Sequence, residues 1–129
     1  MAELCFIDGE HEAFYKNFIP NFGDDGYLTS MVYLLGITPE TRRNYFDLFD
    51  PVTKEIRLDG LNHAWQTDTT RKITRLAFNL WNGMVYDSPE DVDAGKISRY
   101  YAADSIFDCS LSPYFFEAVK LRYPNHSKQ

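Results

Sequence analysis

Arg71, Lys72, Arg75 and Asn79 lie at helical spacing and are the part of this sequence best equipped to hold a charged ligand. Arginine presents a planar fork that donates two parallel hydrogen bonds to a carboxylate or phosphate, and lysine adds a compact positive charge. Arg42 and Arg43 would extend the patch if their helix lay beside it. Trp65, in the string Trp65-Gln66-Thr67 just upstream, would border such a pocket or serve as a recognition anchor, because an aromatic ring beside hydrogen-bonding groups makes an effective contact. Plainer roles compete with both. A basic helix face is by default solvated or engaged in weak surface ion pairs. Trp65 would then pack between helices while Gln66 and Thr67 satisfy backbone groups at the next helix start.

Other residue types give less. His11, His63 and His126 are far apart and form no HExxH or HxxxH spacing, whereas a zinc site needs three or four ligands held together. Asp47, Asp50 and Asp59 do not follow a calcium loop, which requires oxygen donors at alternate positions around a central glycine. Cys5 and Cys109 lack a nucleophile elbow, flanking glycines or an oxyanion loop, and read as buried, inert thiols of a reducing compartment. The adjacent carboxylates Asp24-Asp25 and Glu90-Asp91 lie in exposed-looking loops with no cause for a raised pKa. Phosphate loops and dinucleotide fingerprints are absent. No catalytic residue, metal or cofactor is expected; an unrecognised hydrolase or nuclease is retained only as the least favoured alternative.

Charge is partitioned along the chain of 129 residues, whose formal net charge is −6. Residues 1–25 carry Glu3, Asp8, Glu10, Glu12, Asp24 and Asp25 against Lys16, and residues 87–108 carry Asp87, Glu90, Asp91, Asp93, Asp104 and Asp108 against Lys96 and Arg99. Bulk nucleic-acid binding needs a dominant basic patch and is disfavoured. Asp24, Asp25, Glu90, Asp91 and Asp93 instead suit an acidic arc facing a basic surface on a protein partner. There is no signal-peptide pattern at the N-terminus and no apolar stretch of membrane-spanning length. A cytoplasmic protein without membrane contact is expected. Nine Tyr, ten Phe and two Trp exceed what a core of this size requires, which fits either a packed monomer or an aromatic dimer seam.

The elements that must position these groups are mostly helices. In Thr67–Gly83, Ile73, Leu76, Ala77 and Leu80 repeat at i, i+3, i+4 and i+7, with the basic residues on the opposite face. Asp8 caps an earlier helix to about Ile19, with Phe14 and Phe18 inward and Pro20 as its stop. A second helix spans roughly Asp25 to Leu35, its stripe Leu28, Met31, Val32 and Leu35, with Gly36 suited to the C′ position. Thr38-Pro39 opens a third, which carries Tyr45, Phe46 and Phe49 inward and ends before Pro51. A turn at 50–54 leads into a short strand at 55–58, and Asp59-Gly60 opens a helical turn containing His63 and Trp65. Asp87 to Gly95 reads as a mobile acidic loop in which Ser88-Pro89 caps one helical turn, and Ile97–Phe107 fits helix or strand equally. Ser112-Pro113 starts a last helix with Phe115, Phe116, Val119 and Tyr123 on one side, ending at Pro124. The expectation is a mainly α, single-domain bundle over 1–129, with five or six short helices and a short β hairpin or extended segment near 50–58.

The segments LLGITPETRRNYFDLFD, LNHAWQTDTTRKITRLAFNLWNG and SPYFFEAVKLRYP resemble a family of short, stand-alone proteins from Firmicutes and their mobile elements, a domain of unknown function. The strings WQT, RLAFNLWNG and EAVKLRYP carry the resemblance, which covers roughly residues 11–124; the acidic stretch 87–96 is less typical of it. It implies a bacterial or phage origin and hints at host–phage conflict. Two functions follow as expectations. The first is a protein-interaction module that inhibits a nucleic-acid-handling defence effector, in the manner of an anti-CRISPR protein, inside the bacterial host cell. The alternative is a small-ligand or nucleotide-binding protein built on Arg71, Arg75 and Asn79 beside Trp65.

Overall fold

The computed structural model describes residues 4–19 and 26–124. The second expected helix, α2 (Gly26–Leu35), is the axis of the fold rather than a one-sided stripe: Ser30 through Leu35 are all buried, whichever way they point. A helix that is apolar all round is stable only when neighbours cover every face. They do here, because α1 (Gly9–Phe18), α5 (Asp68–Asn82) and α8 (Ser112–Arg122) all pack on α2. The core comprises Met31–Leu35, Phe14, Leu48, Phe49, Leu61, Phe78 and Phe115, together with the expected α5 stripe Ile73, Leu76, Ala77 and Leu80.

Local start signals are realised as the sequence predicts. Asp8 Oδ1 accepts from the His11 amide at 2.8 Å at the start of α1, and Thr38 caps α3 (Pro39–Arg43) by accepting from Thr41. Thr67 and Thr70 form a reciprocal capping box at the start of α5, satisfying amides that an exposed helix start leaves without partners. At its other end Gly83 adopts the left-handed conformation at φ 76°, which glycine alone enters without a steric penalty.

Elsewhere tertiary contacts revise the expectation. Gly36 does not adopt a left-handed conformation. A Cβ there would lie 2.8 Å from Phe14 Cδ1 and 3.0 Å from His11 Cδ2, so the position is small to let α1 close on α2. The expected third helix divides at Asn44, whose Nδ2 donates to the Glu40 carbonyl at 2.9 Å and ends α3 early. The chain restarts as α4 (Tyr45–Leu48) and enters the hairpin β1 (Phe49–Asp50) and β2 (Glu55–Ile56), registered Phe49 to Ile56. Phe46, expected inward, is 56% exposed, because the break rotates it away from the buried Tyr45 and Phe49. Phe18, Phe116 and Tyr123 are likewise exposed and not part of the core. A 3-10 turn covers Leu58–Asn62, leaving His63 and Trp65 beyond its end.

Residues 87–107 contain short helices joined by turns and extended links. Ser88 caps α6 (Pro89–Ala94) and Gly95 closes it in a left-handed conformation, so signals at both ends hold the acidic stretch in one turn and a half. Ile97–Phe107 contains a 3-10 turn at Arg99–Tyr101 and α7 (Ala103–Ile106), with no strand. Among the described residues there are eight α-helices, more than expected, because segments read as one helix or as loop form several short ones. No described helix is long and apolar enough to cross a membrane.

His11 is fully buried, Nδ1 accepting from the Ile7 amide at 3.1 Å and Nε2 lying 2.7 Å from the Tyr33 carbonyl. With Nδ1 accepting, Nε2 must donate, so the ring is the neutral Nε2–H tautomer. Burial lowers its pKa from the ordinary 6.5, outweighing the Tyr33 carbonyl and Asp8, which favour the cation. Below pH 6.5 the unfolded chain therefore takes up a proton that the folded chain refuses. Stability contributed by the neutral ring is present above that pH and declines as pH falls toward the folded-state value, with a slope of at most about 1.4 kcal/mol per pH unit. Thermal melts between pH 7 and 5 should show this decline, and His11→Gln should flatten it even if the variant melts lower at pH 7.

Candidate functional site

The basic face of α5 is covered along much of its length. Lys72 Nζ crosses to the chain after the Arg99–Tyr101 turn and donates to the Ser105 carbonyl at 2.8 Å and the Asp108 carbonyl at 3.2 Å. Arg75 Nε and Nη2 donate to the two carboxylate oxygens of Asp87 at 3.0 and 3.4 Å, with only 13% of the Arg75 side chain exposed. Its guanidinium also lies over the rings of Tyr100 (5.1 Å) and Tyr101 (6.0 Å). Asn79 Nδ2 donates to the Met84 carbonyl at 3.0 Å, turning the chain back after Gly83. Tyr101 Oη donates to the Tyr86 carbonyl and Asn62 Nδ2 to that of Asp87. The expected ligand-binding face thus fastens residues 84–108 onto α5 through polar bonds. Long cationic side chains do this well, since their stems cover apolar surface and their heads satisfy carbonyls that loops leave unpaired.

What remains open is a groove of about 670 Å³. One wall is α5, with Asp68, Arg71, Lys72 and Arg75; the other is formed by Tyr100, Asp104, Ser105 and Asp108, with Asn62 at an end. Arg71 is the freest cation in it: its side chain is 35% exposed, with a long contact of 3.4 Å from Nε to the Leu61 carbonyl and one of 4.0 Å to the fully exposed Asp68. The formal charges lining the groove balance, Arg71, Lys72 and Arg75 against Asp68, Asp104 and Asp108. A phosphate would therefore meet two committed cations and an acidic facing wall. Trp65 is not among the lining residues. It is half-buried against the core, its Nε1 shielded and without a hydrogen-bond partner among the described residues. Arg42 also points elsewhere, donating to the Gly36 carbonyl at 2.7 Å, and neither it nor Arg43 lines the groove.

Of the expected acidic contacts, Glu90, Asp91 and Asp93 all lie on α6, which buries no residue. Asp24 and Asp25 lie outside the described residues, as does His126. Around α6, Val92, Ile97 and Tyr100 are exposed apolar or aromatic groups, Ile97 at 67%. A second, smaller recess holds Asp91, Lys96, Ile97 and Arg99, and Tyr100 forms the ridge it shares with the groove. Arg99 lies over the Tyr100 ring at 5.2 Å, so the exposed ring is braced by two guanidinium groups. Tyr100, Asp104 and Asp108 carried no local signal. Packing of the Arg99–Tyr101 turn and α7 on α5, with Lys72 bonded to the Ser105 and Asp108 carbonyls and Arg75 over the Tyr100 ring, brings them to the groove that Arg71 also lines.

The remaining titratable groups are dispersed. His63 Nδ1 is 3.4 Å from Asp47 and its Nε2 is 4.0 Å from Asp59, all on the surface. Among the described residues no group of three or more His, Cys, Asp or Glu side chains is placed to hold a metal ion. Cys5 is exposed and Cys109 partly so, both as free thiols, so neither is the buried thiol that the sequence suggests.

Lys72→Met retains the stem and removes the donor. It should lower stability by about 1–2 kcal/mol and raise amide exchange selectively over 103–111, measurable by hydrogen–deuterium exchange. Uniform exchange along the chain would show that Lys72 does not fasten this segment.

Fold and groove together define a mainly α protein built around a buried central helix, with a mixed-charge cleft along α5. The chain belongs to the family of unknown function DUF6075, whose model matches residues 1–129. No curated protein and no solved structure matches it.

Proposed function

We propose that the chain is an acidic protein-interaction module, one domain spanning residues 1–129, that docks on a basic surface of a protein partner without performing catalysis. The observation that carries this reading is α6: a helix with no buried residue on which Glu90 and Asp93 are exposed and Asp91 partly so, beside exposed Val92, Ile97 and Tyr100. Carboxylates around a small apolar and aromatic centre combine electrostatic steering with an anchor. The narrower form is an inhibitor encoded by a phage or mobile element, which occupies a basic nucleic-acid-binding surface of a bacterial defence effector in the host cytoplasm, in the manner of an anti-CRISPR protein. That narrower form draws on the resemblance to Firmicutes and mobile-element proteins, and no residue supplies it.

Because α6 contributes nothing to the core, its charge can be removed without loss of the fold. Tagged protein incubated with a bacterial host lysate is expected to retain a stoichiometric protein partner, less so at raised salt. Joint neutralisation of Asp24, Asp25, Glu90, Asp91 and Asp93 to the corresponding amides should reduce capture about tenfold or more. Absence of any stoichiometric partner, or capture undiminished in the amide variant, would overturn the reading.

The competing reading is a small anionic ligand held by Arg71, Arg75 and Asn79, and the groove is the feature that favours it. The engagement of Arg75 with Asp87 and of Asn79 with Met84 weighs against it. Thermal shift against nucleotides separates the two, since a ligand bound only by the folded state raises the melting temperature by mass action.

A further inference from the structure

The α5 groove has walls of opposite character, and an extended polypeptide has side chains that alternate between opposite sides. Lys72 and Arg75 are committed to carbonyls and to Asp87, which leaves the terminal nitrogens of Arg71, 4.0 Å from the exposed Asp68 on the same wall, as the least engaged donors there. Facing it, Asp104 and Asp108 line the other wall, and the braced Tyr100 ring forms its edge. From Asp68 to Arg75 the helix rises about 10 Å, which an extended chain covers in about three residues. A strand lying along this trough would turn successive side chains alternately toward Arg71 and toward Asp104 and Asp108.

We infer that the groove receives an extended segment of a protein partner in which acidic and basic residues alternate, its carboxylates taken by Arg71 and its cations by Asp104 and Asp108. This inference rests on the protein-interaction reading and specifies the partner's sequence chemistry at a second place, beside α6. A purely anionic segment would meet the two aspartates, and a purely cationic one would meet Arg71. The order of charges, more than their sum, is what the two walls discriminate.

The test uses the full chain, labelled for amide NMR, and three blocked peptides as probes: acetyl-Gly-Lys-Glu-Lys-Glu-Gly-amide, the same composition in blocks as acetyl-Gly-Lys-Lys-Glu-Glu-Gly-amide, and an all-Glu analogue. The alternating peptide should shift resonances along 68–75 and 100–108, with a Kd about tenfold below that of the block peptide. Arg71→Glu, and separately Asp104→Asn with Asp108→Asn, should each weaken it about tenfold while leaving the remaining spectrum in place. Equal binding of alternating and block peptides, preference for the all-Glu probe, or no binding of any probe would overturn the inference. So would binding undiminished in both variants. Such a failure leaves capture through the α6 carboxylates to stand or fall on the lysate experiment, so the two are distinguishable.

Discussion

Leu34→Lys is expected to abolish folding. Leu34 lies off the stripe of Leu28, Met31, Val32 and Leu35, yet it is fully buried, as are Tyr33 and Ser30. Were α2 an amphipathic surface helix, a lysine at 34 would project toward water at little cost. On a helix covered by α1, α5 and α8 the ammonium would have no route to solvent. The variant would lose about 2–5 kcal/mol from the missing leucine contacts and several more from an uncompensated buried charge. That sum rivals the whole stability of a small domain, about 5–15 kcal/mol. Circular dichroism and solubility of the purified variant would decide the matter. A soluble, cooperatively melting Leu34→Lys protein would mean that α2 has an open face.

Phe49→Ala tests the other critical junction. Phe49 is fully buried, pairs with Ile56 in the hairpin, and meets the Trp81 ring edge-on with centroids 5.0 Å apart. It ties α4, the hairpin and the end of α5 together, so truncation opens a cavity that three elements border. A loss of about 3–5 kcal/mol is expected, read from denaturant midpoints at constant m-value. Phe46→Ala, three residues earlier and exposed, should change stability by less than about 1 kcal/mol. The contrast between the two variants checks the chain break at Asn44, because an unbroken helix over 39–49 would send both rings inward.

Helix caps are legible in the chain itself, whereas burial is not. Asp8, Thr38-Pro39, Thr67 and Ser88-Pro89 were readable because a cap acts on amides two or three residues away and needs nothing else. The Ile73, Leu76, Ala77 and Leu80 stripe was readable because polar and apolar residues separate cleanly around that helix. Around α2 they do not separate, so periodicity found one stripe where burial is complete. Helical spacing and hydrophobicity point Phe18 and Phe46 inward, yet both are exposed, because a protein this rich in aromatic residues has more rings than its interior can enclose.

The sequence by itself determined a mainly helical chain, the positions of most helix starts, and an acidic stretch after α5, because these depend on propensity, capping and composition over a few neighbouring residues. Only the tertiary structure decided what the basic face of α5 does. Lys72 reaches carbonyls more than thirty positions away, Arg75 closes on Asp87, and Arg71 is left facing Asp104 and Asp108 across a groove. Whether a cation meets water, a carbonyl or a ligand is set by what folds over it. Those partners are distant along the chain, and no local pattern encodes their arrival.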